Sequence, residues 1–134
     1  MKTLKTISLI SFLFICGLQE VGYPIFIYLF LLMANFFLNF NYADMDFWIG
    51  GLLAFSLPGT LIIYFFLKNK RDRFLLIFCF IALVTVALFL TGANNYANYE
   101  RMSFWFVAPS TIFIISSIIL IINNFKKKPL QKKN

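Results

Sequence analysis

Residues that could carry out chemistry are few in this chain, and their spacing forms no catalytic or metal-binding pattern. The 134 residues include no histidine, two cysteines and five carboxylates. Without histidine, imidazole acid–base catalysis near neutral pH and His-ligated metal or haem sites are excluded. Cys16 and Cys79 fall inside apolar blocks, where a thiol usually packs as a small hydrophobe. We therefore predict no disulfide, no metal site and no cofactor.

Glu20 is the only acidic residue that does not lie in a clear loop. If one helix ran through residues 7–40, Glu20 would be embedded in a bilayer, where ionisable groups are costly and usually functional. It could then exchange protons. The other interpretation is that Glu20 marks the inner boundary of a span that starts near Tyr23. The stretch Glu20, Val21, Gly22 resembles the surroundings of a first-helix glutamate in small multidrug transporters, which implies a proton-coupled carrier as an alternative function.

The other candidate polar residues lie in two loops on one predicted side of the chain. Asp44 and Asp46 precede the second apolar block, and Glu100 and Arg101 precede the fourth. A pair of carboxylates without further ligands is a weak metal or catalytic signal, and solvated loops explain them as well. A membrane enzyme that acts on lipid through these carboxylates is a third hypothesis. We do not expect an enzyme.

Composition points to a membrane protein. Hydrophobic residues make up 61% of the chain and charged residues 13%, whereas soluble domains are about half apolar and a quarter charged. The apolar blocks approach the roughly 20 residues that a membrane helix needs, and the alternating segments of a barrel are missing. We predict an all-α membrane protein, a single domain over residues 1–134, with four transmembrane helices in an antiparallel up-down bundle. The predicted spans are residues 21–40, 47–67, 74–90 and 104–123.

The first apolar block, residues 7–40, is too long for one span and allows three interpretations. A secretory signal over residues 1–14 would lack a small-residue cleavage site. A separate helical span over residues 7–18 would reach only about 18 Å of the roughly 30 Å bilayer core. We therefore favour one span over residues 21–40. Residues 1–19 would then form an interfacial helix or a kinked helical extension of that span.

The distribution of charge predicts the orientation. Lys2 and Lys5 precede the first block, a net charge of +3 separates the second and third blocks, and +5 follows the fourth. Four spans place all three basic regions on one side, which the positive-inside rule assigns to the cytoplasm. We expect an integral protein of a prokaryotic inner membrane with both termini cytoplasmic. Because the basic residues flank apolar blocks, the predicted partner is the lipid bilayer, together with another membrane protein or a second copy, and not nucleic acid.

An echoed motif precedes two of the predicted spans. Residues 41–48 and 98–105 share Asn, Tyr, Met, Phe and Trp at five of eight positions. This pattern raises the hypothesis of two tandem two-helix halves. Whether or not the repeat is real, amphipathic aromatic rings favour the membrane–water interface. The predicted interfacial anchors are Trp48, Trp105, Tyr42 and Tyr99.

Small residues in the second span predict close helix packing. Gly50, Gly51 and Ala54 have the spacing that lets helices approach, either within the bundle or between two copies. Pro58 and Pro109 lie inside predicted spans and predict kinks. With no catalytic group in evidence, the sequence favours a non-catalytic accessory or interaction subunit of a membrane complex over a carrier that uses Glu20.

Overall fold

The computed structural model describes residues 2–18, 20–41, 44–67 and 72–126, and this part of the chain is helical, without a strand. An isolated antiparallel bridge joins Cys16 to Pro24. Five α-helices and one 3₁₀ helix follow in order: α1 Lys2–Leu13, α2 Ile25–Leu38, α3 Met45–Phe66, α4 Arg73–Thr91, the 3₁₀ helix Tyr96–Arg101 and α5 Phe104–Phe125.

Three of these helices, α3, α4 and α5, are long and apolar enough to cross a membrane. Their bounds lie within two residues of the predicted spans 47–67, 74–90 and 104–123. The boundaries follow local chemistry. For example, α4 ends at Gly92, whose φ of 69° is the left-handed conformation that glycine adopts at helix ends without steric cost.

The prediction for the first span needs correction. In place of a helix over residues 21–40, α2 covers the 14 residues Ile25–Leu38, which is shorter than a membrane span. Pro24 sets its start, because proline has no N–H and disfavours helical backbone at the residue before it. α1 is not a continuation of α2, since residues 14–18 and 20–24 between them are non-helical. Nor is α1 confined to the periphery, because Phe12 is fully buried.

α1 packs lengthwise between α3 and α5, and α5 is its most extensive partner. As residue numbers increase along the N-terminal region, the numbers of the residues contacted in α5 decrease. Ser8 contacts Ser117, the Phe12 ring lies beside that of Phe113, and the Cys16 N–H donates to the Trp105 carbonyl. α1 and α5 therefore run in opposite directions, and the buried face of α1 forms part of the core. The core cluster comprises Phe12, Ile15, Ile25, Leu57, Tyr64, Leu67, Leu76, Cys79, Leu83, Phe113 and Leu120.

Candidate functional site

The best-formed polar site is a triangle of hydroxyl groups in the middle of the bundle. Ser8 of α1 lies 2.8 Å from Ser117 of α5 and 3.1 Å from the Tyr64 hydroxyl of α3, and Tyr64 lies 3.2 Å from Ser117. All three side chains are at most 1% exposed. Each hydroxyl has one proton to donate and lone pairs to accept. A closed ring can thus pair all three hydroxyls with one another.

Lys5 lies one turn before Ser8 and is also buried, with 4% of its surface exposed. Its ammonium donates to the carbonyl of Phe65 at 3.5 Å and to the carbonyl of Leu67. These carbonyls belong to the C-terminal end of α3, where a helix has acceptors without helical donors and its dipole favours a cation. The carbonyls offset part of the cost of burying the charge, and Lys5 fixes the start of α1 against the end of α3.

Residues 14–18, beyond α1, are non-helical, and Ile15, Gly17 and Leu18 among them are buried, so the backbone N–H groups of this segment need partners. The N–H of Phe14 donates to Ile10 and that of Ile15 to Phe12, while the Gly17 N–H donates to Tyr23 at 3.0 Å. The remaining two reach other helices: the Cys16 N–H donates to Trp105 at 3.4 Å and the Leu18 N–H to Thr91 at 2.9 Å. Every N–H of residues 14–18 is thus satisfied inside the protein.

The two acceptors on other helices are carbonyls that those helices cannot satisfy themselves. Thr91 is the last residue of α4, so its carbonyl lies beyond the last helical donor. Trp105 lies four residues before Pro109, and proline has no N–H to donate to it. Pro109 thus leaves the Trp105 carbonyl free of a helical donor, and a neighbouring segment supplies one.

Together these contacts make residues 2–18 a single element, which we call the N-terminal strap. It engages the C-terminal end of α3 through Lys5, the C-terminal end of α4 through Leu18, and α5 through Ser8 and Cys16. The sequence reading missed this site. The available signal was the spacing of Lys5, Ser8 and Ser11, which places three polar side chains on one face of an otherwise apolar helix.

Glu20 and Arg101, two of the candidate polar residues, form an ion pair at 3.4 Å. Their side chains are 83% and 51% exposed, respectively, so the pair contributes little stability. Glu20 lies in the turn between the strap and α2, and Arg101 ends the 3₁₀ helix. Glu20 is therefore neither within a continuous first helix nor beside the C-terminal end of α3. Glu100, next to Arg101, is also exposed.

Asp44 and Asp46 lie together with two amides at a different place. They line a shallow depression with Asn35, Asn39 and Phe47, where the end of α2 meets the start of α3. Both carboxylates are exposed. The part of the chain that the structure describes contains no group of three His, Cys, Asp or Glu side chains suited to a metal ion.

The two copies of the echoed motif have different conformations and different neighbours. Met45 is helical in the first copy, whereas its counterpart Met102 lies in the non-helical link before α5. Trp48 joins an aromatic cluster around Phe36, whereas Trp105 accepts the Cys16 N–H. Tyr99 donates to the Ala93 carbonyl at 2.9 Å, and Tyr42 lies outside the described residues.

The small residues of α3 pack inside the molecule. Gly51 and Ala54 are buried, and a Cβ atom added to Gly51 would overlap the ring of Phe36 in α2. A Cβ on Gly50 would lie 3.4 Å from the Leu32 side chain. α2 therefore packs against this stretch of α3.

Comparison with protein-family models, with curated proteins and with solved structures finds no match for this chain. What the described residues show is a helical protein with three membrane-length helices, joined by a strap whose polar groups are directed inward.

Proposed function

We propose that this chain is a small polytopic membrane protein that crosses the bilayer four times, with both termini on the cytoplasmic side. In this arrangement the first crossing is the N-terminal strap, followed by α3, α4 and α5. α2 does not cross: its start contacts Phe14 and Gly17 of the strap, and the rest of its aromatic and glycine contacts fall in the N-terminal half of α3, on Phe47, Trp48, Gly50, Gly51 and Phe55.

The length of the strap supports this arrangement. The 12 residues of α1 make about 18 Å of helix. Residues 14–18 add at most about 17 Å, the length of fully extended backbone at about 3.3 Å per residue. The strap therefore reaches up to about 35 Å, enough for the roughly 30 Å hydrocarbon core. Non-helical backbone is tolerated at membrane depth only when it is enclosed by protein, and the N–H groups of residues 14–18 meet that condition.

The charges agree with the same orientation. Lys5 lies beside the end of α3, and the basic stretch 68–73 follows α3 in the sequence. Glu20 pairs with Arg101, which brings its negative charge to the side that already holds Asp44, Asp46 and Glu100. One side is then basic and the other acidic, as the positive-inside rule describes.

Within this topology we propose a non-catalytic role, as an accessory or interaction subunit of a membrane complex. The observation that carries the proposal is that the buried hydroxyls bond to one another and that Lys5 bonds to carbonyls at the end of α3. Such a core holds helices together and directs no reactive group toward a substrate. The large apolar side chains on the outer faces, such as Phe30 and Leu52, remain for lipid or for a partner helix.

Site-specific photo-crosslinking in the native membrane tests this role. A benzophenone side chain at Phe30 in α2 or Leu52 in α3 should give a discrete adduct with another protein, because both positions are highly exposed. The same probe at Asn94, in the exposed turn after α4, is the matched control and should give no such adduct. Adducts with lipid alone from both helices would contradict the proposed role.

A proton-coupled carrier is the second candidate, and the interrupted α1–α2 region favours it, since broken helices form the binding sites of many transporters. In this account Glu20 is the coupling group. The Glu20→Gln and Arg101→Gln variants separate the two functions. An accessory subunit tolerates both, whereas a carrier that uses Glu20 loses its cellular function with Glu20→Gln and keeps it with Arg101→Gln.

A further inference from the structure

One buried polar group in the described part of the chain has no partner. The side-chain nitrogen Nδ2 of Asn124 makes no hydrogen bond, although the residue is only 5% exposed. A buried donor without an acceptor is destabilising, so such groups usually point to a missing partner. Asn124 is therefore a buried donor for which the described residues supply no acceptor.

The position of Asn124 defines the surroundings of that acceptor. It lies seven residues, about two turns, after Ser117, so it continues the face of α5 that packs on α1. Since α1 and α5 run in opposite directions, Asn124 lies at the level where α1 begins. The next residue, Phe125, lies against Phe74 of α4, with ring centroids 6.2 Å apart. Asn124 is thus near the starts of two helices, α1 and α4.

The charged side chains at this end of the molecule are mostly basic, and the free carbonyls at the ends of α3 and α5 lie here beside the first N–H groups of α1 and α4. The first N–H groups of a helix lack helical acceptors and carry the positive end of its dipole. The Arg73 guanidinium lies 5.6 Å from the Phe74 ring centroid and 5.4 Å from that of Phe125, which holds it at the same place. Among the described residues, the other charges at this end are those of Lys2, Lys5, Lys126 and Asp72. The Asp72 carboxylate does not cap α4.

We propose that this end of the bundle binds the phosphate of an anionic phospholipid, with Asn124 as a hydrogen-bond donor and Arg73 and Lys126 as the counter-charges. A phosphate offers several acceptor oxygens and a negative charge, which match the Asn124 amide and the two basic side chains. The inference requires that the three long helices span a bilayer, and it does not depend on the accessory role.

Lipid is the source of phosphate that the location favours. The site lies at the end of three apolar helices, where lipid headgroups meet the protein and where basic residues on the cytoplasmic side attract anionic lipid. Free inorganic phosphate, the other source, would have to leave bulk water to bind at this site. Adding inorganic phosphate in the absence of anionic lipid separates these two sources.

The test is a comparison of melting temperatures in nanodiscs of phosphatidylcholine alone and of phosphatidylcholine with phosphatidylglycerol. We expect phosphatidylglycerol to raise the melting temperature of the wild-type protein by several degrees. Asn124→Leu should lose most of that increase, and Arg73→Gln part of it. Asn123→Leu, which alters the exposed neighbouring amide, is the matched control and should retain it.

The two explanations of Asn124 predict opposite signs in Asn124→Leu. If the amide donates to a lipid phosphate, the substitution lowers the melting temperature in discs that contain phosphatidylglycerol. If the amide has no partner in any lipid, leucine removes an unpaired polar group and raises the melting temperature in both kinds of disc. That second result would overturn the proposal. So would a full phosphatidylglycerol effect in Asn124→Leu, or an equal effect of inorganic phosphate in phosphatidylcholine discs.

Discussion

The backbone N–H of Cys16 donates to the carbonyl of Trp105 at 3.4 Å. Trp105 precedes Pro109 by four residues, so its carbonyl is the one that proline leaves without a helical donor. A backbone N–H near the end of the strap thus donates to a carbonyl that the sequence of α5 leaves without a helical donor. The same arrangement recurs at the ends of α3 and α4, whose free carbonyls receive Lys5 and the Leu18 N–H.

Replacing Pro109 tests whether this free carbonyl holds the strap. Pro109→Ala restores an N–H that competes with Cys16 for the Trp105 carbonyl. Weakening one hydrogen bond by about 0.5–1.5 kcal/mol raises the population of a locally opened strap by about 2- to 12-fold. We expect the rate of maleimide labelling of Cys16, measured in a Cys79→Ala background, to rise by a similar factor. Pro58→Ala in α3 is the control and should leave the rate unchanged, because the strap does not bind the carbonyl of Ala54.

Removing one corner of the hydroxyl triangle should destabilise the fold modestly. Tyr64→Phe and Ser117→Ala each delete one member of a buried ring, and interhelical hydrogen bonds in membranes contribute about 0.5–2 kcal/mol. The free energy of unfolding can be measured by SDS titration in mixed micelles. Ser56→Ala should have no effect within error, because that exposed hydroxyl donates only to Leu53 of its own helix.

A double-mutant cycle separates the ring from three independent hydroxyls. Because Tyr64 and Ser117 share a hydrogen bond, the double variant should lose less stability than the sum of the single variants. Strict additivity would show that the two side chains do not interact.

Two glycines of α3 provide a matched pair of substitutions. Gly51→Ala places a methyl group into the ring of Phe36, and overpacking of this kind costs about 1–3 kcal/mol. Gly59→Ala meets no atom within 4 Å, so it should be neutral or gain up to about 1 kcal/mol from helix propensity. The same SDS titration measures both. Equal effects of the two substitutions would contradict the packing of α2 against α3.

Hydropathy predicted the three long helices within two residues because their signal is local: long apolar runs bounded by polar or glycine residues. The first helical region differs from the prediction because its contacts are tertiary: α2 covers only Ile25–Leu38, and residues 2–13 form a separate helix. Lys5, Ser8 and Ser11 make residues 2–13 look unsuited to the interior of an apolar bundle, and only their burial shows that this helix belongs there. The non-helical residues 14–18 that follow depend on carbonyls of α4 and α5, which are distant in the sequence.

The pairings within the candidate site were likewise not predictable from local sequence. Glu20 and Arg101 were each singled out as polar residues, but their pairing joins positions 81 residues apart and depends on the turn after the strap. The triangle likewise joins three helices through three ordinary residues, Ser8, Tyr64 and Ser117, none of which is unusual in its own segment. Inward-facing hydroxyls are recognised as a site only when the helices are placed side by side.

The central claim, that the N-terminal strap crosses the bilayer, is tested most directly by the side on which residue 20 lies. The measurement is labelling of Glu20→Cys by a membrane-impermeant thiol reagent, in intact cells and in inverted vesicles, with Cys16 and Cys79 both replaced by Ala. Arg101→Cys and Lys126→Cys in the same background report the two sides. The account predicts that Glu20→Cys reacts from the side of Arg101→Cys and is protected on the side of Lys126→Cys. Reaction from the side of Lys126→Cys would contradict it.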